Sequence, residues 1–401
     1  CAIGSNSSVD IEHRAMRGEF TVVYATPEKL LTWQHGLREL ASVVHITCFA
    51  VDESHCVSEW GHDFRPDYRR LGELRDTLGP KVPWVGLTAS ATKAVQADII
   101  RNLRLNQPLI AKASLNRPNL KYCVINRTGP NDLLRLILEY RKEQLLSYPG
   151  NIDKSAIPFY STLVYVNSKK ETEELAKLLV ACKLLTGIKV AYYHAGMQAA
   201  DRSAVHMAFT NDEVQVVIAT IAFGMGINKP DVRMVVHFGM TKSVESYYQQ
   251  TGRAGRDGLP SKCVLLFSRQ DVVRCFNISS QQNATQRLNH QINCMKIFAT
   301  SCGEFHCRRK FLMHYFDESL EELQQTNAAA SGPTVEEVDL SEEVHMLLST
   351  IIDCGEVYGM AVPLAVLQGK HDKSVQRVHN YASLPHFGCG TRHSQEWWKE
   401  L

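Results

Sequence analysis

Val51-Asp52-Glu53-Ser54-His55 closes the apolar run Val43 to Val51 and stands just ahead of an aromatic, charged loop. The run reads as a buried strand with polar interruptions at His45 and Thr47. Adjacent carboxylates at the carboxyl end of a strand are how nucleotide-hydrolysing folds hold magnesium and orient a water. Asp52 is placed to reach Mg²⁺ through its water shell, and Glu53 to polarise the attacking water. A lone D-E-x-H is more often a solvated acidic turn. Here several further motifs follow in a fixed order and favour the catalytic reading.

The chemistry that answers these carboxylates lies far downstream. Ala219-Thr220 ends a strand and runs into Phe223-Gly224-Met225-Gly226-Ile227-Asn228, whose small residues let backbone approach a ribose or a sugar-phosphate. Then comes Tyr247-Tyr248-Gln249-Gln250-Thr251-Gly252-Arg253-Ala254-Gly255-Arg256-Asp257-Gly258. Two arginines three apart on a helix share a face, and guanidinium forks match phosphate oxygens. Across a cleft from Glu53, Arg253 and Arg256 are candidates for stabilising charge on a γ-phosphate. An arginine-bearing surface helix is the commoner fate of such spacing, but D-E-x-H and Thr88-Ala89-Ser90-Ala91-Thr92 precede it.

Strand and helix signals alternate along the chain. Phe20 to Tyr24 predicts a strand, and Pro27-Glu28-Lys29-Leu30 opens a helix with proline in its first turn. Trp84 to Thr88 predicts a strand and Thr92 to Leu103 a helix. A second series runs through Leu163–Val166, Lys169–Leu179, Val190–Tyr193, Val214–Ala219 and Val235–Phe238. Strands separated by helices imply an α/β fold with two parallel-sheet domains. Residues 1–113 form a partial first domain, 114–128 a connector broken by Pro118, and 129–267 the second domain. Residues 268–321 form a helical subdomain, 322–339 an acidic linker, and 340–401 a small α-rich domain.

Composition sets the outer limits. The 401 residues carry 44 basic and 42 acidic side chains, so any basic surface is local, as at Arg65, Arg69, Arg70 and Arg75, or at Arg308-Arg309-Lys310. Twelve cysteines are scattered with no C-x-x-C pair, which fits reduced thiols of nucleus or cytosol better than a disulfide framework. No apolar run approaches the ~20 residues of a membrane span. A start at Cys1 without a signal-like segment reads as a fragment or a misassigned start.

Taken in order, these motifs resemble the RecQ family of DNA helicases, within the large superfamily built on two RecA-like domains. The resemblance covers nearly the whole chain: Tyr24-Ala25-Thr26-Pro27-Glu28, Asp52 to His55, Leu87 to Thr92, Asn116-Arg117-Pro118-Asn119-Leu120, His194-Ala195-Gly196-Met197, the Phe223–Asn228 turn, and Gln249 to Arg256. The most family-specific piece is Ser58-Glu59-Trp60-Gly61-His62-Asp63-Phe64-Arg65-Pro66-Asp67-Tyr68-Arg69. It is similar to the RecQ aromatic-rich loop, which implies sensing of single-stranded DNA. Trp60, Phe64 and Tyr68 offer stacking faces, Arg65 and Arg69 can meet phosphates, and His62 is implied to link the loop to the ATP site. Core packing is the alternative fate of such aromatics, but Gly61 and Pro66 break the periodicity and favour an exposed loop.

The resemblance implies ATP and Mg²⁺ as cofactors, with Asp52, Glu53, His55, Arg253 and Arg256 catalytic. It implies nucleotide contacts at Gly224, Gly226, Asn228, Asp231 and Gln249, and DNA contacts also at Thr88, Ser90, Thr92, Asn167 and His194. Partners would be single-stranded and forked or duplex DNA and repair and recombination proteins, in the nucleus or less often the cytoplasm. Polarity would be 3′→5′, with a winged-helix domain in 340–401. The alternatives are an inactive DNA-binding or annealing remnant and an RNA helicase; the aromatic loop and the winged-helix tail argue against the latter.

The chain departs from the family at several points. No G-x-x-x-x-G-K-[ST] phosphate cradle occurs, which implies that this stretch alone does not turn over ATP while a longer parent does. Ser54 stands for the usual alanine and Gln250 for the usual glutamate. Cys307 sits where the first of four zinc ligands belongs; one thiolate is no tetrahedral site, so no zinc is expected.

Overall fold

The computed structural model describes all residues except 5–6, 59–63, 148–156, 186, 225–226, 282–285, 302–305, 319–340, 355–360, 372–374, 379, 395–397 and 399–401. The chain divides into two units, Cys1–Thr326 and Asn327–Leu401. Trp60, His62, Gly226, the 322–339 linker and Trp397 lie outside the described residues.

The first unit begins with two small parallel pairs. Strands β1 (Ala2–Ile3) and β2 (Tyr24–Ala25) pair with each other, as do β3 (Phe49–Val51) and β4 (Trp84–Gly86). Both β2 and β3 are shorter than the sequence predicts. Helix Gln34–Val43 buries Gly36, Leu37 and Leu40 on one face and takes Val43 into its last turn, so the strand starts only at Phe49. The proline-led helix forms as expected, Pro27–Thr32, with Thr26 Oγ1 accepting the Lys29 amide at 3.3 Å.

Six parallel strands follow, in the order β5-β10-β9-β6-β8-β7. They are β5 (Leu120–Asn126), β6 (Thr162–Val166), β7 (Val190–Tyr193), β8 (Val216–Ala219), β9 (Met234–Phe238) and β10 (Ser261–Phe267). Strands β6, β8 and β9 are buried along their whole length, which is why they read as unbroken apolar runs. Alternate residues feed opposite faces. Val164, Ile218 and Val236 enter one core and Leu163, Val217 and Val235 the other. The predicted connector is corrected here: Leu120–Asn126 is a full edge strand, paired with β10 from Leu120↔Ser261 to Asn126↔Phe267.

Helices Arg269–Gln281, Gln286–Thr300 and Arg308–Tyr315 follow, as the helical pattern predicts. They help to build a core with the helix Val244–Thr251, where Tyr247 packs on Phe298 at 4.8 Å between ring centroids. The Tyr247 hydroxyl is buried without a hydrogen-bond partner among the described residues. A buried orphan hydroxyl costs about 1–3 kcal/mol, so Tyr247→Phe is expected to leave the thermal midpoint unchanged or raise it. A clearly lowered midpoint in a thermal melt would show that the hydroxyl has a partner.

In the second unit, helices Ser341–Asp353 and Ala361–Leu367 pack Leu347, Leu364 and Leu367 around Trp398. The Trp398 indole N–H donates to the Gly390 carbonyl at 2.8 Å. No described helix of either unit is long and apolar enough to cross a membrane.

Candidate active site

Backbone pairing carries β3 and β4 past their formal ends: Leu87 N–H donates to Val51 O and Ser54 N–H to Leu87 O, both at 2.8 Å. That ladder sets Asp52 and Glu53 at the carboxyl edge. Asp52 is exposed, and its Oδ1 accepts the Glu53 amide at 2.8 Å. Glu53 adopts the left-handed backbone conformation, φ 49° and ψ 40°, which costs a non-glycine residue about 1–2 kcal/mol.

His55 explains why that turn is held. Its ring is buried, with Nδ1 3.1 Å from Thr88 Oγ1 and 3.3 Å from Glu53 Oε2. Thr88 Oγ1 donates its own proton to Ser90 O at 3.2 Å, so it accepts from His55. The tautomer with a proton on Nδ1 follows, leaving Nε2 to face Cys56 Sγ at 3.7 Å. One imidazole therefore lies between the Glu53 carboxylate and the Thr88–Thr92 segment. Ser90 is buried, and Thr92 caps helix Lys93–Asn102 by accepting the Val95 amide at 3.5 Å.

The described part of the aromatic loop leaves from this point. Ser58 Oγ donates to Asp98 Oδ2 at 2.7 Å, and the Arg65 amide to Cys56 O at 3.0 Å. Phe64 is exposed. Tyr68 is half-buried against the first core, with the Arg65 guanidinium 5.9 Å from its ring centre. Arg69 donates to Asn102 Oδ1 at 3.1 Å. The structure thus offers Phe64 openly and Tyr68 only in part.

The arginines fall differently from the sequence reading. The helix ends at Thr251, and Arg253 and Arg256 lie in the turns beyond it rather than on a helical face. Gly252 and Gly255 stop the helix, the latter at φ 52°. A Cβ on Gly224 would lie 3.0 Å from Arg253 Nη2, so the glycine turn makes room for that guanidinium. Arg256 Nη1 donates to Ile227 O at 2.9 Å. Burial, with Arg253 and Arg117 as neighbouring cations, pushes the Arg256 guanidinium below its ordinary value. Three clustered guanidiniums form a site that an anion would relieve. Burial pushes the Tyr165 hydroxyl up to about 12, while Arg253 beside it pulls the other way.

The remaining candidates are scattered around the second sheet. Asn167 follows β6 and donates to Met240 O, just past β9, at 3.3 Å. These two strands flank the point where strand order reverses, the usual place for a ligand crevice. His194 donates from Nε2 to Glu173 Oε1 and accepts the Gly196 amide at Nδ1, each at 3.2 Å. Asn228 is exposed and Gln249 half-buried. Asp231 is engaged in an ion pair with Lys229 at 3.1 Å; that lysine, only 3% exposed, also binds Asp212 at 2.7 Å. Cys307 is exposed, and no cluster of three or more metal-ligating side chains occurs among the described residues.

Sequence reasoning quoted Arg117 and Asn119 in a motif and Arg309 in a basic cluster but gave none of them a role in the site. Arg117 Nη2 donates to Ala254 O at 3.1 Å and Gly255 O at 2.6 Å, and Asn119 Nδ2 to Gly255 O at 2.9 Å. Two long donors flanking Pro118 were the available signal. The substituted Gln250 has its own partner: buried His237 donates from Nε2 to Gln250 Oε1 at 2.9 Å. Burial depresses the His237 pKa to about 4, so its imidazole is neutral in the fold. The unfolded chain then binds more protons between about pH 6.5 and 4. Stability is full above that window, is lost as pH falls through it, and is lower by about 2 kcal/mol at pH 5. Denaturant melts at pH 7.5 and 5 check this, and His237→Asn should remove that share of the difference.

Parallel α/β domains with D-E-x-H at one strand end and the arginine turn beyond another define the RecA-like helicase class. Residues 1–98 match the DEAD/DEAH box helicase family, 152–258 the helicase conserved C-terminal domain, and 334–401 the RQC domain. The ATP-dependent DNA helicase RecQ of Pasteurella multocida is 35% identical over 98% of this chain, which spans 58% of that protein. A protein of Acanthamoeba polyphaga mimivirus, provisionally named an ATP-dependent RNA helicase, is 33% identical over the whole chain and 71% of its own length. The DUF1998 helicase MrfA, solved bound to DNA, superposes over 83% of this chain and 48% of its own with a TM-score of 0.52 at 15% identity. This chain belongs to the RecQ family of helicases.

Proposed function

We propose that the protein is an ATP-dependent DNA helicase that moves 3′→5′ along single-stranded DNA and unwinds duplexes in recombination and repair, in the nucleus. The observation that carries this reading is the His55 bridge, which ties Glu53 to Thr88 and so couples a hydrolytic carboxylate to a segment beside the aromatic loop.

ATP would lie between the carboxylate edge and the arginine turn. Asp52 fits an outer-sphere contact to Mg²⁺, because it is an exposed carboxylate at a strand end and hard cations take oxygen ligands. Magnesium, when bound, neutralises charge on the β- and γ-phosphates. Glu53 accepts the proton of the attacking water while the His55 ring lies 3.3 Å from one of its oxygens. Arg253 and Arg256 stabilise charge on the transferring group. Phe64 and its neighbours stack on bases irrespective of their identity.

The test is strand separation by the protein purified from its own source, on duplexes with a 3′ or a 5′ single-stranded tail. Unwinding of the 3′-tailed duplex alone, with DNA-stimulated hydrolysis, is expected. Stimulation by RNA in place of DNA would favour the second reading, an RNA helicase, which the name of the mimivirus relative suggests.

A further inference from the structure

We infer that Arg309 and Arg117 act in series as positioning residues for the arginine turn, joining it to the segment that follows Thr88–Thr92; the catalytic part of this inference rests on the hydrolytic reading above. Arg309 projects from helix Arg308–Tyr315 and fills the inside of the Asn116–Leu120 bend. Its Nη1 donates to Arg117 O at 2.5 Å and Asn116 Oδ1 at 3.0 Å, and its Nη2 to Leu120 O at 2.6 Å. Within the bend the Leu120 amide already donates to Arg117 O at 3.0 Å, and Arg309 adds a second donor to that carbonyl. With its backbone fixed from behind, Arg117 points its own fork at the Ala254 and Gly255 carbonyls.

That second fork acts on the residues between the two candidate catalytic arginines. Gly255 has no spare room: an added Cβ would meet Asn119 Nδ2 at 2.6 Å and Ser261 Oγ at 2.7 Å. The turn is therefore gripped on its carbonyl side by Arg117 and Asn119, and Gly255 N–H donates to Val232 O at 2.9 Å.

The other end of the same helix reaches the first domain. Asp317 Oδ2 accepts the Lys93 amide at 3.1 Å, at the start of the helix that Thr92 caps. Glu318 accepts from Ser114 Oγ at 3.1 Å and from the Leu115 amide. One eight-residue helix thus holds the residue after Thr92 at one end and, through two guanidiniums, the arginine turn at the other. A guanidinium suits this because its planar donors keep a fixed geometry, whereas an ammonium is a point charge whose donors rotate freely.

Hydrogen–deuterium exchange on the whole chain tests the strut without requiring activity. Arg309→Ala is expected to speed exchange roughly fivefold or more in both 114–122 and 252–258. Arg117→Lys should do so in 252–258 only. In the hydrolysing protein each variant should lower kcat roughly tenfold with the KM for ATP unchanged, and the double variant should be no worse than the worse single one. Unchanged exchange in 252–258 in both variants, or independent losses that multiply, overturns the inference. If Arg309→Ala fails to fold, Arg117→Lys decides alone. A wild-type protein without DNA-stimulated hydrolysis would sink the helicase reading and leave the exchange result to stand by itself.

Discussion

Glu53→Gln is expected to lower DNA-stimulated ATP hydrolysis by about 10²–10⁴-fold, the usual worth of a positioned general base, while DNA affinity stays near that of the wild type. The substitution keeps the side-chain length, and His55 Nδ1–H keeps Thr88 Oγ1 as its acceptor. The left-handed backbone at Glu53 is set by the flanking Leu87–Val51 and Ser54–Leu87 hydrogen bonds and should persist. What disappears is proton affinity. Steady-state kinetics with a filter-binding measurement of DNA affinity separates the two effects. A variant hydrolysing at the wild-type rate, or a wild type with no hydrolysis to lose, would leave a DNA-binding scaffold as the better description.

Arg253→Ala should cost more, about 10³–10⁵-fold in kcat, as loss of an arginine finger does. The two arginines are not equivalent in the structure. Arg256 already donates to the Ile227 carbonyl and so helps to hold the glycine turn. Arg253 instead lies over Gly224 and against the Tyr165 hydroxyl, a side-chain contact that a phosphate could replace. Arg256→Ala is therefore expected to lower thermal stability as well as rate, and Arg253→Ala mainly rate. Arg253→Lys should recover little, because a point charge lacks the fork. Single-turnover kinetics decides between them, and a larger loss for Arg256→Ala would reverse the assignment.

The parts of this architecture that were legible in the sequence are those with a local cause. Edge strand Val190–Tyr193 forms as expected, and β8 and β9 lie within two residues of their predicted limits because doubly buried parallel strands must be continuously apolar. The place of Asp52 and Glu53 just after a strand was legible because the apolar run ahead of them ends at Val51. Edge strand β5 was not, since Lys121 and Asn126 dilute its apolar character and its pairing partner is remote in sequence. The turn at Arg253 was mistaken for helix because side-chain spacing is blind to Gly255, whose φ of 52° ends that option. Arg117 and Arg309 were hidden for a related reason: what they bind is backbone carbonyl, which leaves no complementary residue type to find.

The pairing of β5 with β10 also has a consequence during synthesis. Leu120 leaves the ribosome 141 residues before its partner Ser261 (261 − 120), and at 5–20 residues per second that is a wait of roughly 7–30 s. Until then the nascent second domain has an unzipped margin, although the four strands β6 to β9 can already assemble. Its last strand to be translated is the one that admits its first. A pause or a chaperone acting before Phe267 has emerged would thus find the sheet still open, whereas one acting later would meet the closed domain.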